Sequence, residues 1–474
     1  MGARRRKEMA IRFGIRGFGG EIGDTCSRVF MGMNRSRFNA FANVTGGTVQ
    51  AFIRQKPGVS IRETIAADRS YLKLTNQGGL KQNTASSYGY APTISSVGFD
   101  PNIAGRVNVV GADGRVLNID YKTVPETNVG LRELANLDFL IDATGVGLKK
   151  DAGEQNPALY AAYPNLTVFI SAPCKTVKGA PHFLNGLGTR FYQPAQINAT
   201  GSCSTHAGVD LIRYVREGLI EALDIAQEDI IIEGGQFNAT HSLTPTDNKI
   251  LPWYKGAYLA QTTGFGGAAK VVYPVSQIGN IAAATGRYYS YYDVDGVQAN
   301  GVSMYSLAMT LSVPKGSTTI TEDMIRNILI AAAKDHEGKK HIGILQPDFD
   351  IADNKKVGAF TTLALSGMTP TAILALKGNL KIVKLSGHKV LEGKEYDQYI
   401  VTFNNVAYDN RLGFTVDFLE EANLITRTRL GQELIPSFDH QADLGDELAF
   451  IRTPAGQVLF DKALQATHGE LLLK

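Results

Sequence analysis

Ala10-Ile-Arg-Phe-Gly-Ile, Arg16-Gly-Phe-Gly-Gly-Glu-Ile-Gly and Asp24-Thr-Cys-Ser-Arg-Val-Phe-Met follow one another without a break over residues 10–31. A short β-type run leads into a glycine turn and then into a helix. That is the order a dinucleotide-binding βαβ unit demands. Gly17 allows the tight turn, and Gly19 or Gly20 lets backbone approach a pyrophosphate. Gly23 allows close helix–strand packing. The spacing Gly17, Gly19, Gly23 reads G-x-G-x-x-x-G, one residue longer than the usual fingerprint, and a purely structural turn satisfies it equally.

Further along, Thr48-Val-Gln-Ala-Phe-Ile reads as a second strand ending near Arg54-Gln55-Lys56. An acidic residue commonly stands at that strand end to bind the ribose hydroxyls of NAD. Asp138-Phe-Leu-Ile-Asp-Ala-Thr-Gly-Val and Leu166-Thr-Val-Phe-Ile-Ser-Ala-Pro read as buried parallel strands ending in small-residue turns. Asn76 to Gly105, rich in Gly, Ser, Asn and Tyr, is too long for an ordinary connector and reads as an insertion, a lid or an assembly contact. In the second half, Val302 to Val313 and Gln398 to Phe403 look like strands of a more exposed sheet. Ile320 to Lys334 reads as a helix with Thr321 as its N-cap. Beyond about Leu424 no motif is assigned, and there are no internal repeats.

At 474 residues the chain is long enough for two or three domains with full cores. Its 44% hydrophobic and 20% charged residues are ordinary for a globular protein. No apolar run approaches the roughly 18–20 residues needed to cross a bilayer. The basic start, Met-Gly-Ala-Arg-Arg-Arg-Lys-Glu, lacks the apolar core of a signal peptide, and no membrane association is expected. A net charge of +3 over this length favours a solvated arm over a nucleic-acid contact. Cys26, Cys174 and Cys203 form no paired framework, which suggests a reducing compartment, the cytoplasm. No HExxH or CxxC pattern is present among the eight histidines and three cysteines, so no metal is expected.

The run Asn-Ala-Thr-Gly-Ser-Cys-Ser-Thr-His, Asn198 to His206, carries the strongest chemical signal. After it, Val209, Ile212 and Val215 have helical apolar spacing. A thiol in the first turn of a helix sits among backbone N–H groups without partners. These favour the thiolate, which makes a cysteine a nucleophile near neutral pH. A small buried apolar residue is the competing reading of Cys203. Cys174, after Pro173 at a strand end, and Cys26, inside the first helix, are expected to be structural.

Taken in order, these fragments resemble phosphorylating glyceraldehyde-3-phosphate dehydrogenases. Phe13-Gly-Ile-Arg-Gly-Phe-Gly looks like that family's opening strand and turn. Asp142-Ala-Thr-Gly-Val and Ile170-Ser-Ala-Pro-Cys-Lys are similar to two of its strand ends. Asn198 to His206 looks like Asn-Ala-Ser-Cys-Thr-Thr-Asn with a two-residue insertion. Thr240-His-Ser-Leu-Thr-Pro-Thr-Asp-Asn-Lys resembles the segment supplying the catalytic histidine, Thr263-Gly-Phe-Gly-Gly-Ala-Ala-Lys-Val-Val the phosphate loop, and Tyr408-Asp-Asn-Arg-Leu-Gly-Phe a late family motif. The chain departs from the pattern at His206, where the family has Asn, and at Gln55, where it has an acid. It also departs at the arginine usual after the glycine turn, which is missing. Arg287 is the nearest candidate for the substrate-phosphate arginine.

The resemblance implies a Rossmann-type doubly wound dinucleotide-binding domain over 1–202, with the insertion at about 76–105. A catalytic α+β domain with a mainly antiparallel sheet would follow over 203–404, and residues 405–474 would return to the first domain. It implies Cys203 as nucleophile and His241 as base, with His206 an alternative base or a mere helix-start residue. Gly17, Phe18, Gly19, Gly20, Glu21, Ile22, Gln55, Thr144, Gly145 and Ser171 would hold NAD or NADP, and Asn410 the nicotinamide carboxamide. Ser202, Ser204, Thr205, Thr244, Thr263, Gly264 and Arg287 would line anion sites for a small phosphorylated aldehyde and inorganic phosphate. Assembly as a homotetramer is implied, and the tyrosine patch 288–292 reads as an inter-subunit contact. Oxidation of glyceraldehyde 3-phosphate to an acyl phosphate is the leading expectation. The same mechanism on erythrose 4-phosphate or a semialdehyde is one alternative, and a non-catalytic paralogue used for assembly or binding is another.

Overall fold

The computed structural model describes residues 10–18, 20–33, 35–55, 58–67, 72–74, 80–82, 94–111, 113–125, 132–148, 157–184, 186–242, 259–262, 265–275, 277–288, 302–333, 342–344, 372–374, 379–409 and 412–436. The chain divides into two compact units. One comprises Met1–Phe183, Leu187–Thr200 and Phe418–Gly445. The other comprises Leu184–Gly186, Gly201–Asp417 and Asp446–Lys474. The protein is therefore mixed α/β, with a large, mostly parallel sheet in the first unit and a mainly antiparallel sheet in the second.

In the first unit the strands are β1 (Phe13–Arg16), β2 (Thr48–Gln55), β3 (Leu72–Leu74), β4 (Leu80–Gln82), β5 (Ile94–Phe99), β6 (Arg106–Gly111), β7 (Val116–Pro125), β8 (Phe139–Asp142), β9 (Thr167–Ile170), β10 (His182–Phe183) and β11 (Ile197–Thr200). Nine of them form a sheet in the order β10-β11-β9-β8-β1-β2-β7-β6-β5, and β3 pairs with β4 separately. Neighbours from β10 to β7 run parallel, and β6 and β5 are antiparallel additions at the edge. Every residue of β1, β8, β9 and β11 is buried, as expected of strands covered on both faces. By contrast β6 alternates buried with half-buried residues. Nine of the thirty residues of the expected insertion, Leu80–Gln82 and Ile94–Phe99, are thus strand. Ile94–Phe99 is its edge strand, held by β6, while residues 75–79 and 83–93 fall outside the described residues.

Helices α1 (Glu21–Gly32) and α2 (Arg35–Thr45) bring Phe30 and Phe41 together with Phe13 of the sheet, with ring centroids 4.5 Å apart for Phe30–Phe41 and 5.9 Å for Phe13–Phe30. Side chains alternate across a strand, so Gly14 lies on the opposite face. A Cβ there would stand 2.8 Å from Leu137 and from Phe52. Those two residues belong to a second buried cluster with Leu140, Tyr160, Val168 and Ile170. A short helix α3 (Ile61–Ala67) begins at a capping box, in which Ser60 Oγ accepts from the Glu63 amide and Ser60 donates to Glu63.

The second unit opens with α4 (Cys203–Leu223). Its strands are β12 (Ile231–Ser242), β13 (Leu259–Thr262), β14 (Ile281–Tyr288), β15 (Val302–Pro314), β16 (Ile342–Ile344), β17 (Ala372–Leu374), β18 (Leu380–Leu391) and β19 (Lys394–Asp409). They run in the order β13-β14-β12-β15-β19-β17-β16, with β18 also on β19, and only β12–β14 and β16–β17 are parallel. Tyr305, Leu307, Met309, Leu311 and Val313 of β15 are buried at every second position, the alternation of a sheet packed on one face. Three further helices are α5 (Phe265–Val272), α6 (Glu322–Ala333) and α7 (Leu412–Leu430), the last belonging to the second unit up to Asp417 and to the first from Phe418. Thr321 caps α6 as expected, its Oγ1 accepting from the Met324 amide. Residues 437–474, for which no motif was assigned, lie outside the described residues.

Gly23 shows how closely the first turn is packed. A Cβ at this position would lie 2.6 Å from Phe18 Cα and 2.7 Å from Gly17 O, both backbone atoms that cannot swing aside. The Gly23→Ala variant is expected to lose about 1–3 kcal/mol of stability, read from the shift in denaturant midpoint. Gly20→Ala, whose Cβ would meet Gly17 O at 3.1 Å, should lose less.

Candidate active site

Cys203 is the first residue of α4, and the turn before it is built to start a helix. Ser202 has extended backbone (φ −81°, ψ 165°), and its Oγ accepts from the Thr205 amide at 3.2 Å. Ser202 Oγ and Thr205 Oγ1 also bond at 2.8 Å. Such a cap contributes about 1 kcal/mol to the helix. The remaining amides of the first turn and the helix dipole favour negative charge at the sulfur.

The chain then brings an imidazole to that sulfur. Over its 21 residues α4 travels about 31 Å. The run from Ile231 to His241 in β12 covers a similar length, about 33 Å, in the return direction. Cys203 Sγ and His241 Nε2 meet at 3.3 Å. His241 is 5% exposed and Cys203 is half-buried. Tyr408 of β19 approaches the His241 ring edge-on at 6.1 Å, and its hydroxyl bonds Ser204 Oγ at 3.1 Å. Behind it, Tyr305 donates to the carbonyl of Ala207 at 2.9 Å.

The other expected residues of this unit are placed as follows. The Ser204 and Thr205 hydroxyls are engaged inside the protein, by Tyr408 and Ser202. His206 is fully buried, with Nδ1 3.7 Å from Asp417 and its ring edge-on to Phe414. Arg287 lies in β14 as the register partner of His241. Thr244, Thr263, Gly264 and Asn410 lie outside the described residues, as do Tyr289, Tyr291 and Tyr292 of the aromatic patch.

In the first unit, Gly17 follows β1 with φ +76°, a conformation that favours glycine. A Cβ there would meet the backbone of Ala143 at 3.0 Å. Gly20, exposed at the start of α1, donates its amide to Gly17 O at 2.9 Å, and α1 has no side-chain cap. Phe18 is buried against Tyr121, and Ile22 is half-buried. Gly19 lies outside the described residues. Glu21 and Gln55 are described by backbone alone, at the start of α1 and the end of β2. The chain leaves β1 for β2 on one side and later adds β8 on the other. In open α/β sheets, ligands bind outside the carboxyl ends of strands at such a reversal.

At the carboxyl ends of β1 and β8 stands a buried group that sequence reasoning missed. Arg16 Nη1 donates to Tyr160 Oη at 2.7 Å, and Tyr160 Oη donates to Asp142 Oδ2 at 2.5 Å. Arg16 and Asp142 are 3.7 Å apart. The other carboxylate oxygen, Oδ1, accepts from Thr144 N and Thr144 Oγ1, which fixes the turn before Gly145 (φ +69°). The Ser171 amide donates to Asp142 O at 3.0 Å. Burial and then Asp142 push the Tyr160 hydroxyl well above its ordinary range, so it stays a donor. Burial works against the Arg16 charge, but Tyr160 and Asp142 outweigh it and keep the guanidinium protonated. The signal was present in the sequence, as opposite charges following a short β-type run and ending a strand that reads as buried.

Cys26 and Cys174 are both buried. The Cys174 amide donates to His182 Nε2, whose Nδ1 meets Ala180 O at 2.7 Å. Burial lowers the His182 pKa, and this pair of bonds suits a neutral ring. Among the described residues no cluster of His, Cys, Asp and Glu could hold a metal ion, and no helix is long and apolar enough to cross a membrane. No protein-family model matches the chain, nor does any curated protein.

Tyr160→Phe should cost about 1–3 kcal/mol, because it leaves the buried Arg16 and Asp142 short of a partner. Thermal melting checks this. A melting temperature equal to wild type would show that Arg16 and Asp142 pair directly and do not need the hydroxyl.

Proposed function

We propose that the protein oxidises an aldehyde through a Cys203 thioester, with NAD or NADP as acceptor, in the manner of phosphorylating glyceraldehyde-3-phosphate dehydrogenases. The observation that carries this reading is the 3.3 Å approach of Cys203 Sγ to His241 Nε2 at the start of α4. A thiolate and an imidazole in hydrogen-bond reach are the pair that covalent aldehyde oxidation needs.

His241 takes the thiol proton, the thiolate attacks the aldehyde carbon, and the imidazolium returns that proton to the carbonyl oxygen, giving a hemithioacetal and a neutral His241. His241 then removes the hydroxyl proton of that adduct as the carbon–hydrogen bond breaks and its electron pair leaves as hydride, and a carbonyl re-forms as a thioester. A bound nicotinamide dinucleotide supplies the hydride acceptor. Inorganic phosphate attacks the thioester carbon, and Cys203 leaves as thiolate with release of an acyl phosphate. A phosphorylated aldehyde, glyceraldehyde 3-phosphate first, is the substrate proposed. Arg287 beside His241 in the sheet register is the candidate for its phosphate.

The turn residues fit the dinucleotide. Gly17 and Gly20 leave no side chain over the start of α1, whose uncapped amides suit a pyrophosphate. Thr144 and Gly145 form the adjoining turn. The proposal extends to a homotetramer located in the cytoplasm.

Cys203→Ser should abolish aldehyde oxidation while leaving dinucleotide affinity unchanged, and His241→Asn should slow turnover by roughly 10²–10⁴-fold. Both are read by steady-state reduction of NAD and NADP over a panel of phosphorylated aldehydes. Near wild-type rates in Cys203→Ser would rule out the covalent step. No reduction with any aldehyde by the wild-type protein would favour a non-catalytic binding role.

A second measurement addresses the cofactor. On this reading Gln55, at the end of β2, takes the place of the carboxylate that would repel a 2′-phosphate, so NADP should bind with affinity comparable to NAD. Gln55→Asp should weaken NADP selectively, as read from dissociation constants for both dinucleotides. A wild-type preference for NAD that the substitution leaves unchanged would remove residue 55 from the ribose site.

A further inference from the structure

The proposed reaction gives no task to Arg16, Tyr160 and Asp142, the buried group at the carboxyl ends of β1 and β8. Arg16 is 4% exposed, and Tyr160 and Asp142 are 0% exposed. Buried polar side chains need partners, and here the partners hold two turns. Strands β1 and β8 run parallel and end in register, Arg16 beside Asp142. Each strand leads into a turn that contains a glycine of positive φ, Gly17 at +76° and Gly145 at +69°. Tyr160 lies in the turn Pro157–Ala162, and its carbonyl accepts from Gln196 Nε2 at 3.0 Å.

The two glycine turns are in contact. The Ala143 amide donates to Arg16 O at 2.9 Å. A Cβ on Gly17 would stand 3.0 Å from Ala143 C and O and 3.1 Å from Thr144 N. Side-chain bonds then tie the second turn to the group beneath it. Asp142 Oδ1 accepts from Thr144 N at 3.0 Å and from Thr144 Oγ1 at 2.5 Å, and Thr144 Oγ1 accepts in turn from Val146 N at 3.3 Å. Asp142 Oδ2 accepts from Tyr160 Oη, which accepts from Arg16 Nη1. A continuous line of hydrogen bonds therefore runs from the end of β1 through Tyr160 and Asp142 to the amide of Val146.

We propose that Arg16, Tyr160 and Asp142 are positioning residues for the dinucleotide. They lock the Gly17 turn and the Thr144–Gly145 turn against each other, so that the surface at the carboxyl ends of β1 and β8 is formed before the cofactor arrives. The inference rests on the reading of that surface as the dinucleotide site. Ligands of open parallel sheets bind at such strand ends, and a preformed surface spares the ligand the cost of ordering it. The chemistry of the group suits an anionic ligand. The Asp142 carboxylate anchors the second turn, and alone it would repel a pyrophosphate. Arg16, protonated and 3.7 Å away, offsets that charge. Tyr160 joins the two without adding charge, because burial and then Asp142 hold its hydroxyl well above the ordinary range.

The test compares dissociation constants of NAD and of NADP, by calorimetry on the full chain, for wild type, Tyr160→Phe and Val109→Ala. Val109 is buried in β6, three strands away from β1, and its truncation costs stability without touching either turn. Tyr160→Phe should weaken both dinucleotides roughly tenfold, the cost of ordering about one residue of the turn on binding. Val109→Ala should bind as wild type does. Wild-type affinity in Tyr160→Phe, or equal weakening in both variants, would overturn the inference and leave the dinucleotide reading standing. A wild-type protein that binds neither dinucleotide would remove both. If Tyr160→Phe does not fold, hydrogen exchange at the amides of Ala143, Thr144 and Val146 in wild type decides. These amides should exchange slowly with no dinucleotide present. Fast exchange that slows only when NAD or NADP is added would show that the ligand orders the turn, and would overturn the inference.

Discussion

The meeting of Cys203 and His241, 38 positions apart in the chain, is the constraint around which the second unit is organised. It requires a helix and a strand of matched length, and α4 and β12 have that match within a few ångströms by their ordinary rises. It also requires that the helix begin at Cys203 and not a turn later. Ser202 secures this by capping Thr205, and Gly201 leaves no Cβ to strike the Thr205 side chain, which would stand 2.9 Å away. On the strand side, β12 is gripped by β14 and β15 along nearly its whole length, so His241 cannot slide. A slip of one residue would turn its side chain to the other face.

Buried charge is the second theme, and each unit has its own solution. Arg16, Tyr160 and Asp142 satisfy one another with short hydrogen bonds, and Asp142 spends its remaining oxygen on Thr144. That group is closed and rigid, which suits the task of shaping two turns. In the second unit, Asp210 Oδ2 lacks a hydrogen-bond partner among the described residues, and His206 Nδ1 lies 3.7 Å from Asp417. A low-dielectric interior makes full satisfaction strengthening and partial satisfaction costly.

The backbone of the first unit was largely legible. Runs such as Phe139–Asp142 and Thr167–Ile170, apolar except for one end residue each, could be read as doubly covered parallel strands, because no alternating polar face interrupts them. The edge strand Ile94–Phe99 was missed for the opposite reason. Its Ile-Ser-Ser-Val-Gly-Phe sequence looks like loop, and it is a strand because β6 supplies the hydrogen bonds. The serines beside Cys203 could be identified as helix-start residues, but not that Ser204 would turn its hydroxyl onto Tyr408, 204 positions away.

By itself, the sequence determined where chemistry could begin. A thiol at a capped helix start, a glycine turn between strand and helix, and a histidine after an apolar strand are local features, set by propensity and steric room within a few residues. Only the tertiary structure decided which of two histidines faces the sulfur. His206 is three residues from Cys203 and His241 is 38, yet the distant one lies at 3.3 Å and the near one is fully buried beside Asp417. The reason is packing. His206 lies one turn further into the helix and only about 60° round from Cys203, but its ring is taken up by Phe414 and Asp417, whereas a returning strand can deliver a side chain to the helix start from any distance along the chain.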